Sequence, residues 1–130
     1  MATTLINPPD LAPPRGFSHG ATGTGRVLYV AGQTGQDQHG KLVSDDLVAQ
    51  FERAISGVAR VVQAAGGKPE DVVKINLFVL DQGEYRARGK DIGAAYQKHM
   101  GRHFPPMTLA EVKGLWDGAK VEIEAVALVP

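Results

Sequence analysis

The chain has 130 residues and 43% of them are hydrophobic, so one domain of this size can bury a core without disulfides or a structural metal. Fourteen basic and fourteen acidic residues cancel, which argues against a protein that binds nucleic acid through its overall charge. The absence of cysteine excludes a thiolate nucleophile and a Cys-ligated metal. No segment resembles a signal peptide or a membrane span, so we expect a cytoplasmic protein without a membrane partner.

The N-terminal third predicts an arm followed by a hairpin. Residues 1–15 are rich in proline and indicate an extended arm. The segments 17–22 and 26–33 have the composition of strands. Gly23-Thr24-Gly25 between them is typical of a turn, so we expect the two strands to pair.

A long amphipathic helix follows. Ser44 is the expected N-cap, with Asp45 and Asp46 in the first turn, and Gly66-Gly67 is the expected end. Gln50 is expected largely outside the apolar face. The residues that recur at helical spacing on that face are Leu47, Phe51, Ile55, Val58 and Val62.

The second half predicts a buried strand, a helix and two more strands. Residues 72–80 are apolar on both faces, which favours a central strand. A second helical face runs from Tyr85 to Met100. The order β-β-α-β-α-β-β predicts one α+β domain over residues 1–130, with two helices on one face of a sheet. The opposite face then needs cover, which predicts a homo-oligomer.

Two acids stand in the last strand, whose side chains alternate with period two. Val121, Ile123 and Ala125 share one face, whereas Glu122 and Glu124 share the other. We interpret the meeting point of Glu122 with the strand that carries Met107 as the place where chemistry is expected. In the alternative interpretation, Glu122 forms an ion pair with a nearby basic side chain, such as Lys113 or Lys120.

Several segments, taken together and in order, resemble the RidA family, which is also called YjgF or L-PSP endoribonuclease-like. The matching segments are 30–35, 50–54, Gly66 with 70–74, Asp81 with Tyr85 and Tyr96, 105–112 and 121–127. The resemblance implies a chorismate-mutase-like α+β fold and a homotrimer with ligand clefts between subunits. It also implies hydrolysis of reactive enamines and imines, such as 2-aminoacrylate, without a cofactor.

The resemblance also implies where the site residues are. In active deaminases an arginine at the position of Met107 binds the substrate carboxylate in a bidentate fork, and methionine cannot replace that cation. Glu122 corresponds to the residue that positions the attacking water. The remaining expected substrate-binding positions are Phe17, Ala31, Gly32, Gly93 and Leu109, where the family has Tyr, Ser, Gly, Asn and Cys. This composition predicts an apolar cleft with one carboxylate and a substrate other than 2-aminoacrylate.

Other functions remain open at this stage. A trimeric metabolite-binding protein without catalysis would use the same cleft, and an endoribonuclease or translation inhibitor is disfavoured by the neutral charge. Trp116, in the loop before the last strand, either lines the cleft or seals the interface. His19 and His103 either contact the ligand or lie on the surface. Among the histidines only His99 and His103 have a compact ligand spacing, and that pair straddles Gly101 without a carboxylate partner at a ligand spacing, so we expect no metal site.

Overall fold

A four-stranded mixed sheet with its helices on one face forms the body of the molecule. The structure is a computed structural model, which describes residues 3–130. The strands are β1 (Thr4–Ile6), β2 (Gly20–Thr22), β3 (Arg26–Gln33), β4 (Val72–Val79), β5 (Met107–Glu111) and β6 (Val121–Val129), and the helices are α1 (Leu47–Ala64), α2 (Gln82–Ala87) and α3 (Gly89–Met100). Single 3₁₀ turns occupy Pro69–Asp71 and Trp116–Gly118. The expected α+β fold is confirmed.

The strand order in the sheet is β3-β6-β4-β5. β4 runs parallel to β5 and antiparallel to β6, which in turn runs antiparallel to β3. The expectation that the strand of Glu122 meets the strand of Met107 is therefore wrong. β4 lies between them, because an apolar strand is favoured in an interior position, where both neighbours pair with it. β5 is left at the edge.

The core forms between α1, α3 and one face of the sheet. Along β6 buried and half-buried residues alternate, with Val121 and Ile123 completely inaccessible to solvent. All five residues of the expected apolar face of α1 are buried, which confirms that prediction. Gln50 is buried as well, against expectation. Its amide donates to the carbonyl of Ser44 (2.9 Å) and accepts from the N–H of Lys120 (2.9 Å), so its polar ends are satisfied inside.

Two helix boundaries differ from the sequence prediction. The N-cap of α1 is Asp46, whose carboxylate accepts from the N–H of Ala49 (3.1 Å), and Ser44 instead accepts from the N–H of Asp46 (2.9 Å). The second predicted helix is divided into α2 and α3. The division falls at Arg88, whose backbone leaves helical geometry. Its side chain donates a hydrogen bond to Asp46 (2.9 Å). Residues 3–130 therefore contain three α-helices and not the two expected.

The expected N-terminal hairpin is also wrong. β2 pairs with β1, a strand inside the predicted arm; residues 1 and 2 of that arm lie outside the described residues. Ser18 forms a bridge with Pro106, immediately before β5. Because β3 occupies the opposite edge of the sheet, a segment held beside β5 cannot pair with it.

The sheet face without helices is largely uncovered. Tyr29 is 78% exposed and Val27 is 53% exposed, and both lie on β3. Exposed apolar side chains that lie together on one sheet face are typical of interaction surfaces.

Candidate functional site

An apolar cleft of about 560 Å³ opens between α1, α3, the N-terminal segment and the start of β5. Four of the predicted substrate-binding residues line it, namely Phe17, Gly93, Met107 and Leu109. The other lining residues are Arg15, Gly16, Phe51, Ile55, Ile75, Leu77, Tyr85, Gly89, Ile92, Tyr96, Gln97 and Phe104. The size and the apolar walls suit a small organic ligand.

Sheet register and one backbone bridge bring these residues together. Met107 pairs with Ile75 of β4, so both side chains point to the helix side of the sheet. The N–H of Ser18 donates to the carbonyl of Pro105 (3.3 Å), which holds the preceding Phe17 against the cleft. Gly93 on α3 has no atom within 4 Å of the position that a Cβ would take, so the cleft has open space there.

Aromatic pairs form much of the wall. Tyr96 and Phe104 stack with ring centroids 5.6 Å apart, and Phe51 meets the edge of Tyr85 at 6.3 Å. The Tyr96 hydroxyl donates to the carbonyl of His103 (2.6 Å). Burial raises the pKa of Tyr85 and of Tyr96, because the phenolate is poorly solvated there. Both hydroxyls therefore stay neutral at physiological pH.

Glu122 does not line this cleft. It pairs with Phe78 on β4, on the side of the sheet that carries no helix, whereas the cleft is on the helix side. One chain therefore shows the apolar walls without the carboxylate, and the expected cleft between subunits with one carboxylate stays a prediction. Sequence alternation puts Glu122 and Ile123 on opposite faces, but it does not tell which face Met107 shares, since that depends on the pairing of β4 with β5.

Glu122 instead lies against Gly32. A Cβ on Gly32 would be 1.9 Å from Glu122 Oε2 and 2.7 Å from Cδ, so only glycine leaves room for this carboxylate. Gly32 and its neighbour Ala31 are exposed at the end of β3, where a bulge interrupts the pairing with β6. Three predicted site residues therefore form a second group, which we call the Glu122 group: Ala31, Gly32 and Glu122.

The two acids of β6 have different surroundings. Glu124 accepts a hydrogen bond from the side-chain amide of Asn76 (3.0 Å), which gives it a structural role. The ion pairs within residues 3–130 involve Asp46, Glu52 and Asp91. Neither Lys113 nor Lys120 pairs with Glu122 among them, so the alternative interpretation of Glu122 finds no support inside one chain.

The remaining candidates do not line the cleft. Trp116 is 78% exposed on its 3₁₀ turn. His103 is buried, with its ring Nε2 donating to the carbonyl of Val72 (2.8 Å), so neither the surface nor the ligand-contact interpretation holds for it. The Nε2 of His19 donates to the carbonyl of Ala12 (2.7 Å). Residues 3–130 contain no group of three or more His, Cys, Asp or Glu placed to hold a metal ion.

Sequence reasoning missed Arg15, which lines the cleft two positions before Phe17. It belongs to no motif, and it lies in a segment that was expected to be an arm. Its position near Phe17 in the sequence was the signal available. Tyr85 and Phe104 were likewise not assigned to the site.

Comparison with known proteins agrees with this architecture. The 2-iminobutanoate/2-iminopropanoate deaminase of Salmonella typhimurium is 32% identical over 107 residues, which cover 80% of each chain; the human protein of the same name is 29% identical over 104 residues, covering 79% of this chain and 73% of its own. Among solved structures, the Rid-family protein YyfB of Yersinia pestis superposes with a TM-score of 0.87 at 31% identity, covering 99% of this chain and all of its own. RidA from a Psychrobacter species gives a TM-score of 0.70 at 25% identity, with 91% and 92% covered.

No helix within residues 3–130 is both long and apolar enough to cross a membrane.

The family model described as Endoribonuclease L-PSP matches residues 9–129. That match spans nearly the whole chain, and it includes the cleft residues and the Glu122 group alike. The chain belongs to the Endoribonuclease L-PSP family, the RidA family that its ordered motifs indicate.

Proposed function

We propose that this protein is a small-molecule hydrolase of the enamine or imine type, with a substrate larger and more apolar than 2-aminoacrylate. Two relatives that share about 30% of their residues with it are named as imine deaminases, which supports the reaction class. The observation that carries the change of substrate is Met107. It lies in the wall of an apolar cleft at the position where the family resemblance implies an arginine.

The apolar cleft favours a large ligand body. A carboxylate placed beside Met107 would lose its water without gaining a cationic partner, which costs several kcal/mol. A volume of about 560 Å³ is far more than a three-carbon acid fills, and the walls offer aromatic contacts from Tyr96, Phe104 and Phe51. Those contacts favour the binding of an aromatic or branched imine.

Glu122 is the catalytic residue of this proposal. Its carboxylate accepts a proton from a water molecule as the water oxygen bonds to the imine carbon and the C=N π electrons move to nitrogen. Proton transfer to nitrogen and cleavage of the C–N bond then release ammonia and leave a carbonyl product. Gly32 leaves the space that the carboxylate occupies.

The proposal requires two subunits for each site, because the cleft and the Glu122 group lie on opposite faces of one sheet. The uncovered face, with Tyr29 and Val27 exposed, is the surface on which a second copy packs. In a homotrimer, the assembly that the resemblance implies, each subunit then gives its cleft to one site and its Glu122 group to another. Trp116, exposed on the 3₁₀ turn before β6, is available for an interface.

Mixed trimers test both the catalytic role and the shared site. Glu122→Gln removes the base, and Gly93→Phe fills the open space in the cleft; each variant alone is expected to be inactive. When the two are unfolded and refolded together, random assembly pairs an intact cleft with an intact Glu122 at about a quarter of the sites, so about a quarter of wild-type turnover should return. A site within one chain would return none.

The substrate is tested by measuring ammonia and carbonyl release from imines generated in the assay by an amino-acid oxidase. We expect faster turnover with the imine of phenylalanine than with that of alanine. A rate for the alanine imine equal to that of an active deaminase would contradict the altered specificity. Ligand binding by both wild type and Glu122→Gln, with no turnover by either, would instead indicate a binding protein that uses the same cleft.

A further inference from the structure

Arg15 is the only charged side chain that lines the cleft within residues 3–130. None of the four ion pairs in that part of the chain involves it. A guanidinium group presents five N–H donors in a planar fork and stays protonated at any physiological pH. Arg15 is therefore an exposed cation at the edge of an apolar cleft, and no carboxylate within residues 3–130 of its own chain forms an ion pair with it.

Local hydrogen bonds hold the segment around Arg15 in place. On its C-terminal side the N–H of Ser18 donates to the carbonyl of Pro105 (3.3 Å). His19 donates through its ring to the carbonyl of Ala12 (2.7 Å) and through its N–H to the side chain of Asn7 (2.8 Å). These bonds close a loop from Ala12 to His19, so Arg15 is presented from an ordered loop beside the cleft.

We propose that Arg15 binds the carboxylate of the ligand at the mouth of the cleft, with an aromatic or branched apolar body inserted towards Met107. The inference rests on the proposed use of the cleft as the substrate site. Charge complementarity is the argument, because one chain lines the cleft with one arginine and no acidic side chain, and Glu122 of the proposed site is assigned to the attacking water. The substrate class is then an apolar carboxylate in which several bonds separate the acid group from the end that reaches Met107.

A pair of probes that differ only in charge tests this. Calorimetric titration at low ionic strength, where an exposed charge is least screened, compares 1-naphthylacetate with the neutral 1-naphthylacetamide. Wild-type protein should bind the acid about tenfold more tightly than the amide, the size of one charge-assisted contact. Arg15→Met should bring the two affinities together, and Arg15→Glu should make the amide the better ligand.

Arg86→Met is the matched control. Arg86 is exposed on α2 and does not line the cleft, so its removal should leave the preference for the acid unchanged. Equal affinity of wild-type protein for both probes, no binding of either, or a preference that survives Arg15→Met would overturn the assignment. These outcomes differ from failure of the proposed function, in which the acid binds through Arg15 but no imine is hydrolysed.

Discussion

Replacement of Gly32 by alanine tests the placement of Glu122 without changing the carboxylate itself. A methyl group on Gly32 would lie 1.9 Å from Glu122 Oε2 and 3.0 Å from Cγ, so the side chain has to adopt another rotamer. The atoms in the way belong to the end of a flexible side chain. The backbone at Gly32 does not need glycine, since its φ is outside the left-handed region.

The cost to folding should be small. Moving Glu122 off its preferred rotamer costs about 0.5–1.5 kcal/mol, whereas exchanging glycine for alanine in a compatible backbone gains about 0.4–1 kcal/mol through the unfolded chain. The two effects nearly cancel, so the free energy of unfolding should change by less than about 1 kcal/mol. Gly114→Ala is the control, because no atom lies within 4 Å of its Cβ position. This variant should show only the increase in the free energy of unfolding that comes from the unfolded chain.

Catalysis should respond much more strongly than stability. A displaced carboxylate no longer holds the water, and loss of a positioned base lowers kcat by roughly a hundredfold or more, while KM should stay near its wild-type value because the ligand body contacts the cleft. Steady-state kinetics and thermal unfolding at fixed protein concentration measure both. Unchanged kcat in Gly32→Ala would refute the role of Glu122, and a stability loss above about 3 kcal/mol would refute the assumption that the carboxylate can move.

Two further predictions concern the cleft and the start of α1. Met107→Arg should raise kcat/KM for the imine of alanine about tenfold, because the guanidinium group binds its carboxylate in a bidentate manner. Met107→Lys should raise kcat/KM less, because an ammonium group lacks the planar fork of donors. No increase in kcat/KM in either variant would show that position 107 does not contact the acid group. The hydrogen bond from Arg88 holds the pKa of Asp46 below its ordinary value of 3.8, so its carboxylate stabilises the fold above that pH and loses this effect as pH falls through the lowered pKa. Asp46→Asn, which keeps a capping side chain, should therefore melt below wild type at pH 7, and the difference should shrink as pH falls through the lowered pKa. Asp45→Asn is the control at pH 7, because Asp45 belongs to none of the ion pairs within residues 3–130.

Local pattern predicted the elements better than their partners. The apolar spacing of Leu47 to Val62 and the alternation along β6 each describe a single element that buries one face, and both predictions hold. The pairing of β2 with β1 and the position of β4 between β5 and β6 depend on contacts between distant segments. Period-two alternation is compatible with any strand neighbour, so sequence pattern alone does not distinguish these arrangements.

The candidate site was divided for the same reason. The sequence pattern was interpreted as bringing Glu122 to the strand that carries Met107, whereas the resemblance implied clefts between subunits. Within one chain the register separates the two residues, since Met107 is opposite Ile75 and Glu122 is opposite Phe78, residues whose side chains leave β4 on different faces. Polar residues outside any motif, such as Arg15, carry no periodic signal at all. Only their position beside a cavity makes them candidates.

If the carboxylate is bound by Arg15 and not by an arginine at position 107, the site accepts a ligand of a different length. An arginine at position 107 would place the carboxylate beside β5. If Arg15 on the N-terminal segment binds the acid group, as proposed, the ligand body has to fill the volume between Arg15 and Met107, which both line the cleft. A small substrate would leave that apolar space empty or wet and would gain little from it. On this proposal, the same two residues disfavour 2-aminoacrylate and favour a longer, apolar acid.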